Sequence, residues 1–417
     1  MAVTISTDVH ISATHIHYQR KLVRLSDGTL YAVYKKALAG QRQIYVQKST
    51  NNGGTWTDET RISTATGMED YSQGDPSIAV DSNDYLHVVW VGKATDYTTA
   101  EQLWYAKYTD SWSTPIVIST AGGMSTREQS KGCIAVDSSN YLHVVWTGFS
   151  TAHPTNMQVY YTKYVVSWSA PIVISTAAGM EDYSQSGGCI AVDSNNYLHV
   201  VWAGLSTAHT MFYQVYYTKY VVSWSAPIVL SNATGMENYS QGNACIAVDS
   251  SDYLHVVWHA KATAYPTNFQ IAYTKYTASW STPIRISTAD GMDGYIQSDP
   301  SIAVDSSDSL HVFWGGKATG YTDQNKVWYA TYVVSWVTPV CVQPTGRNQY
   351  VNCRWSRYPA SNIPATPSPG YTNRVNYVFV EGTAAPYDLM FDYIAPPPPT
   401  IKPSSSIAAK MVAAGLL

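Results

Sequence analysis

The chain has 417 residues, of which only 13% are charged, with a net charge of −4, 34 Tyr and 14 Trp. This composition excludes a disordered chain, which needs many charges and few aromatics, and a general nucleic-acid surface, which needs a basic excess. No run of 18 apolar residues exists, which excludes a transmembrane helix.

The N-terminal stretch MAVTISTDVHIS has no basic segment ahead of an apolar run, so no secretory leader is expected. Charge is uneven along the chain. Residues 1–48 hold seven Lys/Arg against two Asp/Glu, whereas residues 49–344 hold 12 against 24. A basic first part beside an acidic remainder suits a docking edge, or reflects divergence of a terminal repeat. Leu22-Val23-Arg24-Leu25-Ser26-Asp27-Gly28-Thr29-Leu30 reads as strand, turn and strand.

From there a 56-residue unit is written five times. Ile78-Ala79-Val80-Asp81 recurs at 134–137, 190–193, 246–249 and 302–305. Each copy continues into a phrase such as Tyr85-Leu86-His87-Val88-Val89-Trp90. One unit predicts four strands, at 77–80, 85–90, 102–108 and 115–119, from period-two alternation and β-branched or aromatic content. Four antiparallel strands repeated at this period describe an all-β fold, a β-propeller of four-stranded antiparallel blades. Trp90 and its counterparts, with Trp112, Trp168, Trp224, Trp280 and Trp336 of the turn between third and fourth strands, are expected to wedge between blades.

The blade count follows from the ends. Blade 1 is expected at about 17–66 and blades 2–6 at about 67–344. Residues 345–394 offer three further strand-like runs, at 350–355, 375–380 and 387–394. The segment 2–7 reads like 171–176 and would supply the missing fourth strand. The expectation is therefore a seven-bladed ring over residues 1–395, with six or eight blades as the alternatives, closed by its N-terminal strand, which removes exposed sheet edges. Four prolines at 396–399 open a Pro/Ser-rich linker (396–406). The apolar segment 407–417 reads as a docking peptide for another subunit or a piece folded onto the chain's own surface.

Residues repeated five times read as scaffold. His87, His143, His199, His255 and His311 are expected to make one structural hydrogen bond per blade. Asp81, Asp137, Asp193, Asp249 and Asp305 read as turn caps, since a calcium loop would need more oxygen ligands and a glycine bend. Cys133, Cys189 and Cys245 share one position with Ser77 and Ser301, which reads as small and buried; neighbouring repeats are expected to hold the sulfurs too far apart to bridge. Cys341 and Cys353 remain candidates to pair. No metal-ligand spacing, phosphate loop or nucleophile elbow is present, and no cofactor is expected.

Ser49-Thr50-Asn51-Asn52-Gly53-Gly54-Thr55-Trp56 fits S-x-[DN]-x-G-x-T-W. It resembles the Asp-box of the bacterial-neuraminidase-repeat, or sialidase-like, β-propellers. The resemblance covers about residues 2–394 in architecture, but the motif occurs once; later copies keep only Ser-Trp-Ser. It implies the propeller fold. A working sialidase of that family uses three arginines, a Tyr–Glu nucleophile and an Asp acid. Where the first arginine is expected the chain has Tyr18, with Arg20 two residues late. The acid loop reads Lys35-Lys36-Ala37-Leu38-Ala39-Gly40, without a carboxylate, and no arginine lies between Arg127 and Arg285. The resemblance therefore implies a non-catalytic member.

Function is sought where copies differ, on the face bearing the loops that enter each blade and join its second and third strands. The entering loops start Gly-Met and contain Glu69, Tyr71, Glu181, Tyr183, Glu237, Tyr239 and Tyr295. The second set adds Tyr97, His153, His209, Tyr265 and Tyr321. Aromatic faces beside carboxylates suit saccharides, whose C–H side stacks while hydroxyls hydrogen-bond, and repetition would give several weak sites acting together. The alternative is that these side chains tile a solvated rim. The expected function is a lectin-like module binding a glycan or host-surface polysaccharide on a virion or other extracellular particle assembled in the cytoplasm. The alternatives are a decoration protein contacting other subunits through residues 396–417 and the basic first blade, and a sialidase-like hydrolase.

Overall fold

The computed structural model describes the backbone of residues 2–9, 13, 19–176, 179–342, 349–355, 375–381 and 387–394. The linker and apolar segment expected at 396–406 and 407–417 lie outside the described residues, as do Tyr18 and the side chain of Cys353. No helix among the described residues is long and apolar enough to cross a membrane.

Five four-stranded antiparallel sheets follow one another along the chain. Blade 2 shows the pattern: Gln73–Val80 lies innermost, followed outward by Leu86–Ala94, Tyr97–Tyr108 and the short Ile116–Val117. The first strands of successive blades lie side by side around the axis. The long loop expected between second and third strands is a two-residue turn in blade 2, where Ala94 pairs with Tyr97, and likewise in blades 4, 5 and 6. The polar residues read as loop thus continue the hairpin. Among blades 2–6, blade 3 alone has a longer connection, at 149–157, between Leu142–Gly148 and Gln158–Tyr164.

The propeller has six blades, not seven. The strands of the two chain ends belong to one eight-stranded sheet, in which Gln349–Trp355, Val375–Glu381 and Tyr387–Ile394 pair in order with Val3–Val9. Val9 is opposite Tyr387 on one side and Lys36 of Leu30–Leu38 on the other, which fuses the expected seventh unit to the first. Closure by the N-terminal strand is present. A polar cluster reinforces the fusion: Ser6 Oγ and Tyr34 Oη both donate to Glu59 Oε1, and Lys36 Nζ lies 3.0 Å from Glu59 Oε2. Burial and the Glu59 bond hold the Tyr34 hydroxyl firmly protonated. Both Leu22–Arg24 and Gln349–Trp355 of this sheet join the axial ring.

The core sits between blades. Val88 and Trp90 pack toward blade 1, while Val89 and Val91 pack with Ile134, Val144 and Trp146 of blade 3. Both faces of each sheet are thus covered, which explains the continuous apolar run Leu-His-Val-Val-Trp. Burying one such tryptophan removes about 200 Å² from water, worth about 5 kcal/mol. The stretch 49–56 forms the expected turn between third and fourth strands. Thr55 N donates to Asn51 Oδ1, Gly53 adopts φ +86°, and Trp56 meets Phe391 edge-on at 5.4 Å.

Candidate functional site

At the turn end, the repeated residues form the same assembly five times. Asp193 Oδ1 accepts from the amides of Asn195 and Tyr197, capping the turn as expected. Its Oδ2 lies 3.1 Å from His199 Nε2, and His199 Nδ1 lies 2.9 Å from Tyr217 Oη. Because a carboxylate only accepts, Nε2 carries the proton and Nδ1 receives the tyrosine hydroxyl. Burial lowers the His87 and His199 pKa values, against the pull of Asp81 and Asp193, and keeps both rings neutral. Tyr217 then packs edge-on against Trp280 of the next blade at 5.0 Å. This is scaffold, closed to ligands.

A second repeated contact was not legible as such. Asp84, Asn140, Asn196, Asp252 and Asp308 all have φ near +62°, and each side chain reaches back to the preceding blade. Asp252 accepts from both the amide and the hydroxyl of Ser194. Cys189 and Cys245 form no bridge with each other, yet they lie closer than expected: their Sγ atoms are 3.8 Å apart. First strands crowd the axis, so equivalent side chains of adjacent blades touch. At this position Ser77 Oγ accepts from Ile134 N, a bond between axial strands. The Cys341–Cys353 pairing lies outside the described residues.

Tyr71, Tyr183, Tyr239 and Tyr295 occupy the same place in four blades. Each is half-buried at its own blade, and what is fixed is its backbone. The Tyr183 carbonyl accepts from Gln158 Nε2 and Gln185 Nε2, and the same double clamp holds Tyr71, Tyr239 and Tyr295. Glu69, Glu181 and Glu237 are exposed, and Glu237 caps its own loop through Gly235 N. The shared Gly-Met start is packing. Met68 is fully buried, and a Cβ on Gly67 (φ +77°) would lie 2.0 Å from Thr95 Oγ1 at the hairpin tip. Tyr97 and Tyr321 stand edge-on to Trp104 and Trp328, Arg285 covers Tyr265, and His209 pairs with Ser206 beside its turn. His153 lies in the blade 3 connection, its amide bonded to Ser150 Oγ.

Other residues converge where the axial strands reach the loop end. Every first strand of blades 2–6 carries a bulge just after its conserved glutamine. At the bulge stand Asp75, Lys131, Gly187, Asn243 and Asp299, all with positive φ. A bulge re-aims its side chain, here around the mouth of the axis. Gln19, the blade 1 equivalent, donates to the carbonyls of both Asp75 and Gly132, spanning three blades. Lys35 Nζ lies 3.4 Å from Asp75 Oδ1, and Lys131 Nζ donates to Ser186 Oγ at 2.8 Å. Across blades 5 and 6, Asn243 Nδ2 donates to Asp299 Oδ1 at 3.0 Å and lies 3.4 Å from His259 Nδ1. The His259 ring packs on Phe269 at 4.3 Å, and Lys261 Nζ lies over the Phe269 ring, 4.7 Å from its centroid.

Charge and aromaticity divide the mouth. Toward blades 1–3 stand Lys35, Asp75, Glu101, Glu128 and Lys131; burial and then the neighbouring Glu128 raise the Glu101 carboxyl. Toward blades 4 and 5 the position of Glu101 is taken by Tyr213 and Phe269. The signal was present in the sequence. Gly-Asp-Pro, Ser-Lys-Gly, Ser-Gly-Gly, Gly-Asn-Ala and Ser-Asp-Pro follow five otherwise matching glutamines at 74–76, 130–132, 186–188, 242–244 and 298–300. The basic excess of residues 1–48, by contrast, is partly spent internally, since Lys35, Lys36 and Lys48 pair with Asp75, Glu59 and Asp58. Among the described residues, no group of three His, Cys, Asp or Glu side chains is placed to hold a metal ion.

Fold and site define a β-propeller with a polar and aromatic axial mouth. No family model matches the chain, and no curated protein does. Solved structures do. An ulvan lyase bound to -[GlcA(1-4)Rha3S]-, described as a new family of polysaccharide lyase, is similar with a TM-score of 0.62 at 10% identity, over 95% of this chain and 96% of that one. The polysaccharide lyase Uly1 gives 0.56 at 9% identity, over 91% and 90%. An α-L-arabinofuranosidase from Fusarium graminearum gives 0.51 at 11% identity, over 79% and 97%. At these identities the likeness is one of fold.

Proposed function

We propose that this protein recognises a saccharide at the loop-end mouth of its axis and releases it unchanged. The observation that carries this reading is the pattern of divergence. Blades that repeat their scaffold residues differ at the bulge and beside it, where Lys35 pairs with Asp75, Lys131 bonds Ser186, and Asn243, His259 and Phe269 pack together. Hydrogen-bonding groups beside an aromatic face match the two sides of a sugar ring. Similar propellers that act on polysaccharides support the ligand class. A particle-surface setting, with residues 396–417 contacting other subunits, is the finer part of the proposal.

The test is a glycan array probed with the full chain, followed by titration of each hit and mass spectrometry of the recovered glycan. Binding that falls at least tenfold in Phe269→Ala, with the glycan intact, supports the reading. A silent array sinks it, and shortened or unsaturated products would replace recognition with catalysis. For the finer part, co-purification that depends on residues 396–417 supports subunit contact, and its independence from them removes that role.

A further inference from the structure

Among the five bulge residues with positive φ, four are Asp, Gly, Asn and Asp, the types that tolerate the left-handed region. The fifth is Lys131, at φ +61°. A lysine there costs about 1 kcal/mol of backbone strain relative to glycine, and an outlier of this kind points to a functional constraint. Its ammonium is also half-buried. Burial lowers its pKa, opposed only in part by the charge of Asp75, which is itself shared with Lys35 at 3.4 Å. The one described hydrogen bond of Lys131 Nζ goes to the neutral Ser186 Oγ, and no described carboxylate lies within ion-pair distance. On the side of blade 4 the neighbouring positions are Ser186, Gly187 and Ala203, where blade 5 has Gly242, Asn243 and His259. A strained, partly desolvated cation thus faces the sector of the mouth with the smallest side chains.

We propose that Lys131 is the anchor for an oxyanion carried by the saccharide, a carboxylate or a sulfate ester, seated beside Ser186 and Gly187. An anion there supplies the counter-charge that the protein omits, through a charge-assisted hydrogen bond. The inference rests on the saccharide reading above and deepens it by naming the ligand's charge.

The test measures binding of the full chain, at 0.15 M salt, by titration calorimetry. One arm compares a glucuronan oligosaccharide with its carboxyl-reduced, neutral counterpart, and the other compares sulfated dextran with dextran. Wild type is expected to prefer the charged member of at least one pair tenfold or more, and the arm that responds identifies the anion. Lys131→Asn should abolish that preference while keeping an equal or higher melting temperature, because asparagine accepts the left-handed backbone. Lys107→Asn, at a half-buried lysine near the turn end whose Nζ lies over the Tyr85 ring, should leave the preference unchanged. Equal binding of charged and neutral members by wild type overturns the anchor and leaves the saccharide reading standing. So does a preference that survives Lys131→Asn or is lost equally in Lys107→Asn. No binding in either arm, with a silent array, overturns both.

Discussion

The two ends of the propeller's axis use the same repeat in opposite ways. At the turn end, Asp, His, Tyr and Trp recur in blade after blade, with the Asp, His and Tyr side chains bonded to one another and the Trp ring packed on the Tyr of the preceding blade. At the loop end the same strands carry Asp75, Lys131, Gly187, Asn243 and Asp299 at one position. The difference teaches that constancy marks bonds between and within blades, whereas a ligand breaks the symmetry. A single ligand on the axis cannot contact five blades identically unless it shares their symmetry.

The comparison breaks most readily at the constant residues. Trp202→Ala removes a fully buried ring bonded to Gln185 and should cost about 4 kcal/mol in denaturant unfolding; a loss below about 1 kcal/mol would deny the scaffold role. His199→Leu leaves Asp193 and Tyr217 without their shared partner and should cost about 3 kcal/mol, with saccharide affinity unchanged. Acid should act on the same assembly. The pKa values of His87, His199 and the five capping aspartates are lowered in the fold, so the unfolded chain binds more protons. Stability from the histidines is complete above about pH 6.5 and is lost as pH falls through their folded values; that from the aspartates is lost at lower pH. A melting temperature that rises on acidification from pH 7 to 5 would contradict this.

Smaller effects sharpen the boundary between the two ends. Asp252→Ala removes two bonds to Ser194 and places alanine at φ +61°, for an expected loss of about 1.5 kcal/mol, whereas Asp252→Gly should recover the backbone part. Tyr183→Ala should change stability by about 0.5 kcal/mol or less and leave saccharide binding intact, because the clamp holds its carbonyl. A tenfold loss of binding there would return the site to the entering loops.

How much was legible depends on whether a signal is local. The Asp193 turn cap and the buried histidine of each blade were readable, because a turn and an alternating strand lie within a few residues. The clamps on the entering loops are not local: Tyr71, Tyr183 and Tyr239 share a position in the loop, and glutamines from two blades hold their carbonyls. Nor was Asp252 readable as a latch, since its partner Ser194 lies 58 residues away.

By itself the sequence determined the repeat, the four-stranded unit and the closure by the N-terminal strand, because period-two patterning and a 56-residue recurrence are properties of the chain. Only the tertiary structure decided three things. It fused the chain ends into one sheet through Val9, Lys36 and Glu59. It brought Cys189 against Cys245. It also gathered Lys35, Asp75, Lys131, Asn243 and His259 at one mouth. Each depends on distances between blades, and the packing of strands around an axis sets those distances.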